Sequence, residues 1–368
     1  MIIRSVLADG LSGVKKSDGN DPGMDERVMK VAIFKGAGRG LAIEDRPIPI
    51  PKAGEVLVRV HRVGVCGSDL HATEGDCPLA APGSILGHEF CGEVVALGPG
   101  VTRLKVSDRV APMPFVGCGS CVACLAGRPH HCPRGRYDVV SGFSQYSRAG
   151  QNECIVLPEG LSDEAGALIE PLAVGLQGVR KANFPIDARV LITGAGPIGL
   201  ATAFWARRLG AGAIAVMARS RRREGIAATL GADHFIAQQD TADAAAAVND
   251  ALGGPPDVVF EAAGVPGAIA DAIGFVKPEG TVVSLGFSSK PETFIPTVAL
   301  WKEIRLLFSL CYDRQDFQYT AGVMAAGDLR PLAMITGTVK MDALPERFAR
   351  LLDAKTSDCK VMVSPWDD

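Results

Sequence analysis

Four cysteines, Cys118, Cys121, Cys124 and Cys132, crowd into the stretch GCGSCVACLAGRPHHC. Four thiolates this close in sequence can close a tetrahedral shell on one zinc ion. A shell made entirely of protein ligands has no open position, so such a site is structural and the chemistry must lie elsewhere. Gly117, Gly119 and Gly127 give the backbone the freedom to fold tightly around the ion. Surface thiols or a pair of disulfides are the alternative. The ten cysteines of the chain read better as metal binding in a reducing cytosol.

A chain of 368 residues is too long for one ordinary core and implies two domains. The net charge of −3 gives no reason to expect nucleic acid or an anionic membrane as partner. No apolar run reaches the length of a bilayer span. The opening MIIRSVLADG is interrupted by Arg4 and Asp9, too early for a signal-peptide core. Residues 1–28 read as a disordered extension, and the periodic pattern begins at Met29.

The first half carries short alternating segments, such as Val56–Val60 and Glu93–Leu97, punctuated by Gly98-Pro99-Gly100. That texture predicts a strand-rich, barrel-like domain. Near residue 172 it changes. Apolar strands at Val190–Thr193, Ala213–Met217, Val258–Phe260 and Thr281–Leu285 alternate with helical stretches, the pattern of a parallel sheet covered on both faces. The strand Arg189–Thr193 runs into Gly194-Ala195-Gly196-Pro197-Ile198-Gly199 and then a helix. A glycine triplet in that setting is a dinucleotide fingerprint: Gly194 for the tight turn, Gly196 for approach of the pyrophosphate, Gly199 for packing of helix on sheet. The second strand of such a unit normally ends in an acid for the ribose 2′-hydroxyl. Here Ala218 stands in its place, followed by Arg219-Ser220-Arg221-Arg222-Arg223. Guanidinium groups suit a 2′-phosphate, so NADP(H) is expected over NAD(H). The competing reading leaves these arginines to solvate a helix over 222–230.

A second set of metal-type residues lies outside the four-cysteine stretch: Cys66 in Gly64-Val65-Cys66-Gly67-Ser68-Asp69, His88 and Glu89 after Gly87, and Glu170 before Pro171. Cysteine, histidine and carboxylate suit zinc, and three protein ligands leave a position for substrate.

With GVCGSD, GHE, the four-cysteine lobe, EPLAVG and GAGPIG in this order, the chain resembles the zinc-dependent medium-chain alcohol dehydrogenases over roughly residues 29–366. The phrase GALIEPLAVG is most similar to the sorbitol, butanediol and threonine dehydrogenase branches. The resemblance implies an α/β protein: a GroES-like β-rich catalytic domain (29–171, with the zinc lobe), a Rossmann doubly wound parallel sheet (172–309) and a return to the catalytic domain (310–368). It implies Cys66, His88 and Glu170 around a catalytic zinc, with Glu89 as an alternating ligand and Asp69 orienting His88. It further implies Ser68 and His71 as a proton relay, Lys360 near the cofactor pyrophosphate, and Val174 and Ile198 flanking the nicotinamide beside Pro197. The implied reaction is hydride transfer between NADP(H) and an alcohol/carbonyl pair, with two zinc ions per chain, in a cytoplasmic homodimer or homotetramer. Ser309 departs from sorbitol-type members, which carry an arginine there. The alternatives are an NAD(H)-dependent polyol, butanediol or threonine-type dehydrogenase, and a non-catalytic nucleotide-binding member. The latter should have lost a ligand or relay residue, and none is missing.

Overall fold

A computed structural model of the chain describes residues 27–73, 80–137, 139–353 and 356–366. The expected N-terminal extension lies outside the described residues up to residue 26. Val28, placed in that extension by the sequence, already belongs to the first strand. The chain divides into two compact units. One holds the described residues up to Glu170, Asp313–Gly327, and those from Ile335 onward; the other holds Pro171–Tyr312 and Asp328–Met334.

The first unit begins with β1 (Val28–Phe34) and β2 (Leu41–Pro47), an antiparallel pair. It continues through β3 (Glu55–Gly64), β4 (Glu89–Leu97), β5 (Arg109–Pro112), β6 (Tyr146–Gly150) and β7 (Cys154–Val156). Strand β3 is the spine of a seven-stranded sheet, pairing with both β4 and β6. Its residues alternate as a strand must. Val56, Val58 and Val60 enter one apolar cluster with Phe34, Phe90 and Phe143, while Leu57 enters a second with Met29, Val31 and Ile33. Both faces of β3 are therefore filled. The strand anticipated over Glu93–Leu97 starts four residues earlier, so that Glu89 sits at its first position.

The second unit contains β8 (Arg189–Thr193), β9 (Ala213–Ala218), β10 (His234–Ala237), β11 (Val258–Glu261), β12 (Thr281–Ser284) and β13 (Arg305–Phe308). Their order is β10-β9-β8-β11-β12-β13, and every pair is parallel. This is the doubly wound order whose switch point, between β8 and β11, opens a ligand crevice at the carboxyl ends of the strands. The helix after β8 starts at Pro197, inside the glycine motif, rather than beyond it. The helix expected over 222–230 forms only as Glu224–Thr229, preceded by a 3₁₀ turn of Arg221–Arg223.

The chain then returns to the first unit with β14 (Ile335–Lys340) and β15 (Lys360–Ser364), and β15 pairs with β3.

Gly199 meets its sequence reading in hard geometry, since a Cβ there would lie 1.9 Å from the Gly194 carbonyl oxygen. Gly199→Ala should therefore cost about 1–3 kcal/mol, the range for overpacking, read as a lowered midpoint in chemical denaturation.

Candidate metal centres and dinucleotide crevice

The four lobe cysteines converge, with all their sulfurs within 4.8 Å of one another. Cys118 Sγ and Cys124 Sγ are 4.0 Å apart, close to the edge of about 3.8 Å for a tetrahedron with zinc–sulfur bonds of about 2.3 Å. The glycines explain how the chain makes this loop. Gly119 and Gly127 both have φ +74°, and a Cβ on Gly117 would come within 2.6 Å of Cys124 Sγ. Glu153 Oε1 pins the loop entrance by accepting from the Gly117 amide at 3.1 Å. Backbone amides of Ser120 and Cys121 pull the Cys118 thiol down to about 5, while burial pushes Cys124 up to about 12. Arg134 donates to Cys118 Sγ at 3.2 Å, favouring its thiolate. The donor set and spacing fit a closed structural zinc.

The second group consists of Cys66, His88 and Glu89, with donor atoms within 4.8 Å of one another. Cys66 ends the loop after β3, and His88 immediately precedes Glu89, the first residue of β4, so adjacent strands deliver them together. Asp69 ties the two loops. Its Oδ2 accepts from the Cys66 amide at 3.0 Å, its Oδ1 accepts from the Gly87 amide at 3.2 Å, and the same Oδ1 lies 3.4 Å from His88 Nδ1. Burial opposes a charged His88, yet Asp69 and Cys66 outweigh it and raise the imidazole well above its ordinary range. Thiolate, imidazole and carboxylate are a zinc donor set. Glu170 is buried on the helix Asp163–Ala182 but stands outside this group of three. Ser68 and His71 lie one turn apart on the helix Gly67–Thr73, with Ser68 half-buried and His71 exposed.

Lys360, which the resemblance puts near the cofactor pyrophosphate, lies inside the first unit. Its ammonium is wholly buried and donates to Glu89 Oε1 at 2.7 Å, Glu89 Oε2 at 2.5 Å and the Val65 carbonyl at 2.9 Å. Burial works against its charge, but Glu89 and Cys66 outweigh it and the lysine stays protonated. The partnership of two residues 271 positions apart carries no local signal in the sequence.

In the second unit Gly194 has φ +102°, and a Cβ there would press within 2.8 Å of Ala262. A Cβ on Gly196 would meet nothing within 4 Å, so this glycine borders open space at the N-terminus of the helix Pro197–Arg208, where an anion is favoured. Pro197 and Ile198 are half-buried on that helix. Val174 is half-buried on the helix Asp163–Ala182, next to Gly175, whose missing side chain lets Ala201 approach. Sequence reasoning missed Glu261. Buried at the end of β11, it accepts from the Ala263 and Gly264 amides at 2.7 and 2.8 Å, shaping the turn on the other side of the switch point. A strand ending in an acid followed by Ala262-Ala263-Gly264 is its only trace in the sequence.

Two families match the chain: the Alcohol dehydrogenase GroES-like domain over residues 52–159 and Zinc-binding dehydrogenase over residues 197–326. Sorbitol dehydrogenase of Bacillus subtilis is 33% identical over 351 residues, covering 92% of this chain and 97% of that enzyme. The chain belongs to the zinc-dependent medium-chain alcohol dehydrogenase family. As a family member it is an oxidoreductase that works with zinc and a nicotinamide cofactor. Among solved structures, a zinc-binding dehydrogenase from Sinorhizobium meliloti 1021 bound to NADP matches with a TM-score of 0.82 and 30% identity, covering 92% of this chain and 100% of that one. An Escherichia coli CFT073 alcohol dehydrogenase complexed with NADH matches with a TM-score of 0.82 and 28% identity, covering 92% and 99%. One of these two relatives is thus seen with NADP and the other with NADH.

Two outcomes follow. Metal analysis should give about two zinc ions per chain, and Cys121→Ser should lose one of them together with lobe stability, because a closed site contributes folding energy. Lys360→Met should cost about 3–5 kcal/mol by leaving Glu89 buried and unpaired, and adding Glu89→Gln should recover much of the loss in a double-mutant denaturation series.

Proposed function

We propose that this chain transfers a hydride between NADP(H) and a small alcohol/carbonyl pair at a zinc centre held by Cys66, His88 and a carboxylate. The observation that carries the reading is the cluster of Cys66, His88 and Glu89 organised by Asp69, on a chain that also carries the glycine-motif crevice. Zinc bound there would polarise the substrate oxygen as a Lewis acid, and the nicotinamide would take or give the hydride. The protein's own work is positional. Asp69 fixes the imidazole through Nδ1, leaving Nε2 as the ligand atom. Ser68 takes the proton of the substrate hydroxyl and His71, one turn further and exposed, passes it to water. Glu170 joins as a ligand or lies behind the site; Glu89, gripped by Lys360, ligates only by loosening that grip.

The preference for NADP(H) rests on the end of β9. Ala218 occupies the position of the ribose acid, and the exposed Arg219 side chain makes no ion pair among the described residues. The rest of the basic run is partly committed. Arg221 is held by Asp240 at 2.7 Å and Glu224 at 2.8 Å, and Arg223 donates to the Ala195 carbonyl at 3.0 Å. Arg219 is therefore the guanidinium available for a 2′-phosphate.

The partner of the second unit is a second copy. Edge strand β13 and the segment before it expose Ile295, Leu300, Trp301 and Phe308, with Trp301 at 83% and Leu300 at 73%. An open apolar sheet edge is a hazard that pairing removes.

A panel of alcohols and carbonyls assayed with both cofactors tests the activity. Turnover with neither cofactor on any of them, or full turnover in Cys66→Ser, would sink it. Ser68→Ala should slow the chemical step by about 10²–10⁴. Arg219→Ala should weaken NADP(H) binding by about ten- to hundredfold with little change for NAD(H), whereas Ala218→Asp should push preference toward NAD(H). A wild-type kcat/KM favouring NAD(H) contradicts the arginine assignment. Light scattering should show a species at a multiple of 38.5 kDa, and Trp301→Glu should shift it toward the monomer.

A further inference from the structure

The first unit contains a cavity of about 410 Å³ whose lining includes none of the residues assigned above to metal or cofactor. Arg103, Arg314, Gln151 and Gln318 supply its polar wall, and Leu104 and Ile155 part of its apolar one. Both arginines are fixed by their backbones. Gln151 Oε1 accepts from the Thr102 and Arg103 amides at 2.9 and 3.2 Å, and the Arg314 amide donates to the Gly127 carbonyl at 2.8 Å.

Neither guanidinium is hydrogen-bonded or ion-paired to a described residue, and Arg314 Nε is buried without a partner. By contrast, Arg109, Arg148, Arg189, Arg207 and Arg347 each meet a carboxylate. Burial, and then the like charge of Arg103, hold Arg314 below the ordinary arginine value. The nearby acids offset this only in part, since the attraction of Glu153 for Arg314 is smaller than the repulsion from Arg103. Glu153 spends an oxygen on the Gly117 amide, and burial pushes its carboxyl toward the neutral form. Asp313 and Asp316 form the capping box of the helix Arg314–Ala325, which leaves Asp313 Oδ1 buried without a hydrogen-bond partner among the described residues. A concavity with two guanidiniums that no carboxylate of the described residues hydrogen-bonds has donors to spare for an anion, and guanidinium pairs suit phosphate oxygens best.

We propose that this cavity binds a small phosphate-class oxyanion, with Arg103 and Arg314 as its charged contacts. A volume of about 410 Å³ lies in the range of small-molecule sites and leaves room beside the apolar wall for the organic part of a phosphorylated metabolite.

The test is calorimetry on the full-length, zinc-loaded protein, saturated with dinucleotide so that phosphate cannot compete at the crevice. Inorganic phosphate and glycerol phosphate are titrated at constant ionic strength. The expected result is saturable binding at one site per chain, weakened about tenfold or more in Arg103→Gln and in Arg314→Gln, with zinc content unchanged. Tighter binding of glycerol phosphate identifies a phosphorylated metabolite as the ligand; equal binding identifies free phosphate. Absence of saturable binding at millimolar concentrations overturns the proposal, as does binding that Arg103→Gln leaves untouched. If Arg103→Gln instead changes the oligomeric state while phosphate does not bind, the cavity is an interface between copies and the proposal fails. Arg103 is exposed, so its variant decides the question even where Arg314→Gln does not fold.

Discussion

A buried ammonium anchors the proposed catalytic centre. Lys360 spends all three of its protons, two on Glu89 and one on the Val65 carbonyl. Charges are removed from water at this cost only when geometry and hydrogen bonding are complete. The pair joins the first position of β4 to the first position of β15, and the carbonyl adjoins Cys66 in the chain. The strand that returns from the far end of the sequence therefore closes the floor of the metal site. It also carries Val361 and Val363 into the same apolar cluster as Val60 and Val63, so one strand serves both the sheet's core and the site.

Above that floor, Asp69 does for the ligands what Lys360 does for the sheet. One carboxylate binds the amides of Cys66 and Gly87 and approaches His88 Nδ1. It holds two loops in register and selects the nitrogen that His88 can offer. Glycine makes this possible on the other side. Gly87 has φ +84°, and a Cβ there would strike Phe143 at 2.5 Å. The dinucleotide crevice obeys the same logic with different residues. Gly194 and Gly199 admit close backbone approach, while Glu261 on the neighbouring strand fixes the facing turn with its two amide contacts. In each case a rigid strand end carries the chemistry and a buried carboxylate organises the loop beyond it.

What the sequence determined by itself was local in origin. The four cysteines and their glycines specify a closed lobe because ligands and turns are near neighbours in the chain. The strand–GAGPIG–helix unit specifies its crevice because period, turn and packing glycine lie within one stretch. Cys66, Ser68 and Asp69 share a single turn. Tertiary structure decided what depends on residues distant in sequence. It gave Lys360 a partner in Glu89, because pairing of β15 with β3 carries the lysine inside, where only a charged partner can satisfy it. It sorted the basic run after β9, tying Arg221 to Asp240 and Arg223 to the Ala195 carbonyl and leaving Arg219 without an ion pair among the described residues, a division composition cannot express. It shortened the helix after that run, since the arginines adopt a 3₁₀ turn that lets Arg221 and Arg223 reach those partners. And it brought the carboxylate of Glu89 within 4.8 Å of the Cys66 and His88 donor atoms: a motif names a residue's chemistry, but only packing fixes where its oxygen atoms stand.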